Sequence, residues 1–434
     1  MPAVLSDPGG AALSDPLMLS RSEKRRLIDL LCCPDDLSLY HENSHVFDDI
    51  FARAVLSNGV EPGDMDISTL VDAVGAHRIL MALFGDNFSQ LIEGNNDDSS
   101  ADLHYEGERL RLAFSRWKKR FDPHRAIDSL HHAARVRAAL ITPHSAHWPT
   151  MLNDLGPGSP LALWVRGDSS ILPLLRRSIG LVGARAASGY GTHVAMEAAA
   201  GLGDRGFIVV SGGALGIDGS AHRAALARDH RTVAFLAGGI DRLYPRANSE
   251  LLQRVSVTGA VVAEMPPGHP PIRSRFLMRN RLIAAGTAAT VVVEAGYRSG
   301  SLNTAGHAAE IGRPLGAVPG QVTSPLSAGC HRLVRDYNAT LVTCASEMAE
   351  LVCPVGTEPQ ISTTGAATTG IYNGVSEFES NIWRVIAENR GVSFDDLVTR
   401  HGVEHTSIRA VLGRLEIEGV IRIGADGLWY SNRN

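Results

Sequence analysis

Apolar residues recur at three- and four-residue spacing from Ser22 to about Arg137, in stretches such as SEKRRLIDLLCC, HVFDDIFARAVLS, DISTLVDAVGAHRILMALFG and ERLRLAFSRWKKRF. That period predicts an all-α segment over 22–140, preceded by a Pro/Gly-punctuated leader over 1–21. Within it, VGAHRILMALFG reads either as a helix-hairpin-helix unit or as a plain helical hairpin. From about Ile141 the period changes. Continuous apolar runs (SIGLVGAR, GFIVVSGG, RTVAFLAGG, GAVVAEM, ATVVVEAG and RPLGAVPG) end in glycine turns and alternate with Ala-rich stretches such as HVAMEAAAGLGD and GSAHRAALARD. Runs of this kind fit strands buried on both faces of a parallel sheet, so 141–353 is predicted to be a doubly wound α/β domain of Rossmann-like type. In such sheets ligands bind beyond the carboxyl ends of the strands, where these turns lie. A Gly/Thr/Ser-rich linker over 354–377 follows. Three helical patterns and a strand pair around a Gly turn then predict a winged helix-turn-helix over 378–434, with Thr406, Ser407, Arg409 and Arg414 on or near its would-be recognition helix.

Composition narrows the function classes. The 434 residues carry a formal net charge of -5, which argues against coating nucleic acid through bulk charge. No apolar run approaches the ~20 residues of a membrane span and the N-terminus lacks a signal-peptide pattern, so no membrane partner and a cytoplasmic location are expected. The five cysteines, odd in number and without CxxC spacing, suggest reduced packing residues rather than disulfides or a zinc site.

Against this acidic background PPIRSRFLMRNRLI (270–283) holds Arg273, Arg275, Arg279 and Arg281 with no acid among them. Guanidinium forks pair with phosphate and stack on bases, and Phe276 offers a ring on which an unpaired base can stack. The flanking prolines predict an extended start that turns helical near Met278. The turns VGARAASGYG, SGGALGID, AGGIDRLYP and EAGYRSGSLNTA suit phosphate oxygens through freed backbone N–H groups, with hydroxyls from Ser188, Ser211, Ser299 and Ser301. None is GxGxxG or a Walker A loop, and no cofactor is predicted. Asp218, His222, Glu264 and Glu294 are polar residues near strand ends, yet no nucleophile elbow or metal-spaced cluster accompanies them. Asp218 reads as an N-terminal helix cap and His222 as a packing histidine, so no enzyme is expected.

SGGALGIDGSAH, LYPRAN, PPGHPP, FLMRNRLI, VVVEAGYRSGSLNTAGHAAEIGRPLGAVPG and SAGCHRLVRDYNATLVT resemble, in order and spacing, the DNA-processing protein A (DprA/Smf) family over about 141–353. The resemblance implies a bacterial, cytoplasmic, extended Rossmann protein that binds single-stranded DNA, commonly as a homodimer, and loads the RecA recombinase during natural transformation. It places DNA on Arg185, Arg246, Phe276, Arg279, Asn280 and Arg281, with phosphates at Ser211, Gly212 and Gly213 and at Ser299, Gly300 and Ser301. Of the arginines, Arg279 and Arg281 are the expected pair, and Arg273 and Arg275 supporting charge. Three positions depart from the family pattern: Leu215 replaces an arginine, Leu277 a proline and Asn303 an aliphatic residue. Two other readings stay open. One is a nucleotide-binding enzyme related to phosphoribohydrolases, although Glu310 lies too far along its helix for that family's glutamate. The other is an interaction scaffold whose partner binds the winged helix.

Overall fold

The structure is a computed structural model describing residue 17, residues 19–85, 87–93 and 107–352 and, with gaps, 377–432. Residues 1–16 and 18 of the expected leader, the linker up to residue 376 and the recognition-helix residues Thr406, Ser407, Arg409 and Arg414 lie outside the described residues, whereas the end of the leader is ordered: Leu17 is buried in the core and Ser20 and Arg21 begin α1.

The N-terminal helices are α1 (Arg21–Leu31), α2 (Leu37–Glu42), α3 (Ser44–Leu56), α4 (Met65–Val74), α5 (Ala76–Gly85), α6 (Phe88–Glu93), α7 (Gly107–Arg120) and α8 (Pro123–Arg135). Side-chain caps begin several of them. Ser20 and Glu23 form a reciprocal capping box on α1, and Asp122 accepts the first amides of α8. Between α4 and α5 the chain bends by 107°. Among the described residues no single helix is long and apolar enough to cross a membrane. At this bend the Ala76 amide donates to Asp49 Oδ1 at 3.0 Å, so the group a helix-hairpin-helix would aim at phosphate is used inside the fold.

A nine-stranded sheet follows: β1 (Ala139–Ile141), β2 (Leu163–Gly167), β3 (Ser178–Gly183), β4 (Ile208–Ser211), β5 (Thr232–Leu236), β6 (Ala260–Ala263), β7 (Ala289–Glu294), β8 (Leu315–Ala317) and β9 (Thr340–Leu341). Its order is β1-β2-β6-β5-β4-β3-β7-β8-β9. All six apolar runs are strands, and from β6 to β9 neighbours run parallel. The sheet is not wholly parallel, however. β1 and β2, which carry weaker patterns, add an antiparallel edge. Helices α9 (Gly189–Asp204), α10 (Ile217–Ala227), α11 (Ser249–Thr258), α12 (Arg273–Ala285), α13 (Ser301–Glu310), α14 (Ala328–Asp336) and α15 (Ala345–Glu350) complete this part.

Alternation along β5 explains the continuous apolar runs. Val233 and Phe235 enter one core, with Leu282 and Ile283 of α12; Ala234 and Leu236 enter another, with the N-terminal helices. The helical segment and the sheet therefore share a hydrophobic core and form one compact unit. Of the cysteines, Cys32, Cys33 and Cys330 are buried free thiols, whereas Cys344 is exposed and does not pack as expected. In the second compact unit, α16 (Glu377–Glu388), α17 (Phe394–His401) and the antiparallel pair β10 (Ile421–Ile423) and β11 (Trp429–Ser431) enclose a small core.

His222 is a packing histidine, as its sequence context suggests: fully buried on α10, with Nδ1 2.8 Å from Thr232 Oγ1. Burial, aided by the charges of Arg223 and Arg279, pulls its pKa from the ordinary 6.5 down to about 3. The folded state thus resists protonation that the unfolded chain accepts. Stability from this group is complete above the unfolded value and is lost as pH falls from about 6.5 toward 3, at up to about 1.4 kcal/mol per pH unit. Urea unfolding of wild type and His222→Gln across this range should show the variant's stability changing less steeply with acid.

Candidate nucleic-acid interface

The arginine cluster begins a helix earlier than its flanking prolines suggest. α12 starts at Arg273, one residue past the extended Ile272, because the constraint ends at Pro271 and Leu277 keeps the amide that a proline would lack. Helical periodicity then sends the four guanidinium groups in different directions. Arg273 is exposed. Arg275 donates to both carboxylate oxygens of Glu61, at 2.9 and 3.0 Å, and to the Pro270 carbonyl. Arg281 donates to Glu264 Oε1 at 2.7 Å, and that same oxygen accepts the Gly63 amide. It faces the α3–α4 connection, so the expected placement of Arg281 in a ligand groove is corrected: its charge pins the helical segment to the sheet.

Arg279 is buried behind the strand ends. Its Nη1 donates at 2.6 Å to the carbonyls of both Gly212 and Phe235, and its Nε donates to Asn280 Oδ1. Burial, opposed by the Asp218 charge and reinforced by Arg185, lowers its pKa to about 10. A side chain on residue 212 would collide with this guanidinium, which is why glycine stands there. The SGG turn is likewise filled from within. Ser211 Oγ donates to the Leu181 carbonyl, and Asp218 accepts the amides of Gly212 (3.1 Å) and Ala214 (3.4 Å). The Ser211 hydroxyl and the Gly212 amide are thus already engaged inside the fold. An internal carboxylate occupies the position that an anion would take. Asp218 lies inside α10, whose N-cap is Gly216, so it caps the preceding turn rather than its own helix. Burial raises its carboxyl pKa, while the Arg279 charge and the two amides lower it.

The remaining residues do assemble. A cleft of about 440 Å³ lies between the β3–α9 turn, the first turns of α12 and the β7–α13 turn. Arg185, Phe276, Asn280, Ser299, Gly300 and Ser301 line it, and Arg279 forms part of its back wall. The Arg185 guanidinium lies 5.1 Å from the centroid of the Phe276 ring, and Tyr244 meets that ring edge-on at 5.7 Å. Ser299 and Ser301 hydroxyls stand 2.7 Å apart at the N-terminus of α13, where the helix dipole favours an anion. Asn280 bridges α12 to this turn through the Gly300 carbonyl and Asn303 Oδ1, which gives the polar Asn303 its partner. Arg246 is exposed on the loop that carries Tyr244, but it does not line the cleft. Sequence reasoning missed Tyr244, although it stands in the LYPRAN stretch beside the chosen Arg246.

The other acids are also engaged. Glu294 accepts the Ser188 amide and hydroxyl at 2.8 and 2.6 Å and so anchors the start of α9, and Gly191 leaves the room it needs. With Glu264 on Arg281 and Asp218 on its turn, these three carboxylates all serve internal contacts.

Comparison with known proteins gives this geometry its context. Residues 139–353 match the family described as DNA recombination-mediator protein A. A putative DNA processing protein DprA of Mycobacterium tuberculosis is 42% identical over 396 residues, covering 87% of this chain and 93% of that protein. This chain belongs to the DNA-processing protein A (DprA/Smf) family. The Escherichia coli protein Smf is 39% identical over 192 residues, 44% of this chain and 50% of that one. The X-ray structure of DNA processing protein A from Streptococcus pneumoniae superposes with a TM-score of 0.54 at 26% identity, covering 69% of this chain and 96% of that chain. Among the family departures, Leu215 and Leu277 are each 44% exposed, so neither replaces a buried contact.

Arg279→Met should leave two strand-end carbonyls without their donor and Asp218 without its nearest compensating charge. A loss of about 3–5 kcal/mol in urea unfolding is expected, whereas Arg185→Ala, at the surface, should stay within about 0.5 kcal/mol of wild type.

Proposed function

We propose that this protein binds single-stranded DNA in the cleft between Arg185, Phe276 and the Ser299–Ser301 turn, and that it acts as a non-enzymatic mediator delivering strands to RecA during natural transformation in the bacterial cytoplasm. The observation that carries the reading is the Arg185–Phe276–Tyr244 cluster beside the α13 N-terminus. A stacking ring and a free guanidinium next to an anion-favouring helix end match what an unpaired strand offers, namely a base face and a phosphate. Duplex DNA keeps its base faces stacked, so the same cleft favours the single strand. Membership of a DNA-processing family supports this use. Engagement of Glu264 and Glu294 in internal contacts, away from the cleft lining, weighs against their serving the nucleotide-hydrolase alternative, because an acid-base group must be able to reach its substrate.

Self-association belongs to the same reading. Val334, Tyr337 and Leu341 are exposed apolar groups at the β9 end of the sheet, suited to a second copy of the chain. Gel-shift titration should give tighter binding to a single strand than to duplex of equal length. Phe276→Ala should weaken that binding by about 1–3 kcal/mol for each base it stacks. Equal affinity for both forms of DNA would overturn the single-strand reading, and turnover of a nucleoside phosphate would replace it with the enzymatic one.

A further inference from the structure

A second and larger cavity, of about 910 Å³, lies on the other side of the same loop. Its walls are the α3–α4 connection, the end of α7, the outer face of α8 and the loop Pro267–Pro270. Arg275 lines this cavity, whereas its neighbours Phe276 and Leu277 line the cleft described above. The two hollows thus flank the start of α12, where exposed Arg273 stands.

The charge of this region is unlike that of the chain. Between Ser115 and Arg137 there are seven lysines and arginines against two aspartates, in a protein whose net charge is -5. Ion pairs use part of that charge, with Arg116 on Asp66 and Arg120 on Glu61. Glu61 serves Arg275 as well. Burial raises its carboxyl pKa, but the hydrogen bond and charge of Arg275, with the Arg120 charge, bring it below the ordinary value. Asp122 is committed to the α8 cap. Arg125, with 88% of its side chain exposed and only a 3.4 Å contact to Asp122, and Arg135, exposed one face along, remain available to an external anion. His269 fixes the loop wall, its ring nitrogens 3.2 and 3.3 Å from the carbonyls of Pro266 and Asn58.

We propose that this cavity is a second phosphate-binding segment of the DNA path, in which Arg125 and Arg135 hold the backbone of a strand that has passed from the Phe276 cleft around the α12 start. The inference rests on the single-strand reading of that cleft. The segment offers charge without an exposed aromatic ring, so it binds phosphates regardless of base and contributes only when the strand is long enough to reach it.

The test is fluorescence anisotropy on the full chain with oligothymidines of about eight and about thirty nucleotides, lengths on either side of a single binding site. Arg125→Glu/Arg135→Glu should bind the short strand as wild type does and lose about tenfold or more on the long one, with a shallower salt dependence. Arg135→Glu alone, at an exposed position and with Arg125 intact, should show the same pattern at smaller amplitude. Wild-type affinity of both variants for the long strand overturns the second segment and leaves the cleft reading standing. Absence of single-strand binding by wild type at either length overturns both.

Discussion

The guanidinium of Arg279 holds together the carboxyl edge of the sheet. It ties the carbonyl at the end of β4 to the one at the end of β5 and places a positive charge beside Asp218, which in turn holds the amides of the 212–214 turn. That turn leads into α10, whose first amide donates to the Ala184 carbonyl, and Arg185 follows directly. The position of the exposed cation over Phe276 therefore depends on a buried one. A buried charge of this kind is tolerated only when its partners are complete, which explains why so many main-chain groups converge on a single side chain.

The same economy divides the whole arginine cluster. Helical geometry spreads consecutive odd-numbered positions around α12, so that Arg275 reaches Glu61, Arg279 the strand ends and Arg281 Glu264. Two of these partners, Glu61 and Glu264, join the N-terminal helices to the sheet. What looks like a basic ligand patch is largely the fastening of two layers. The ligand-facing chemistry comes from Arg185 and Phe276, and from the serines on α13.

Much of the fold was legible because periodicity reports burial directly. All six two-sided strands were marked by unbroken apolar runs, while β1 and β2, the two antiparallel strands at one margin of the sheet, are shorter apolar runs outside the strand-helix alternation that marks the others. Arg185, Phe276, Asn280 and the 299–301 turn, all legible in the sequence, do line one cleft, whereas Arg246 and Arg281 do not. Composition marks Arg279, Gly212 and Ser211 as phosphate-ready, but whether a donor meets a ligand or an internal carbonyl depends on long-range packing. The carboxylate that fills the SGG turn sits six residues downstream at Asp218, and the partner of Arg281 is shared with Gly63, far away in sequence. The basic residues of α7 and α8 gain their meaning only from lying around a cavity next to the α12 start, which long-range packing decides.

A strand is held, in this reading, by the outer rim of the sheet edge while the buried arginines hold the rim. Amide hydrogen exchange, with and without a saturating single-stranded oligonucleotide, tests it most directly. Exchange should slow in 183–188, at 276–277 and in 296–303, with the 259–265 strand segment unchanged. Saturated binding that leaves the first three segments unaltered would contradict it.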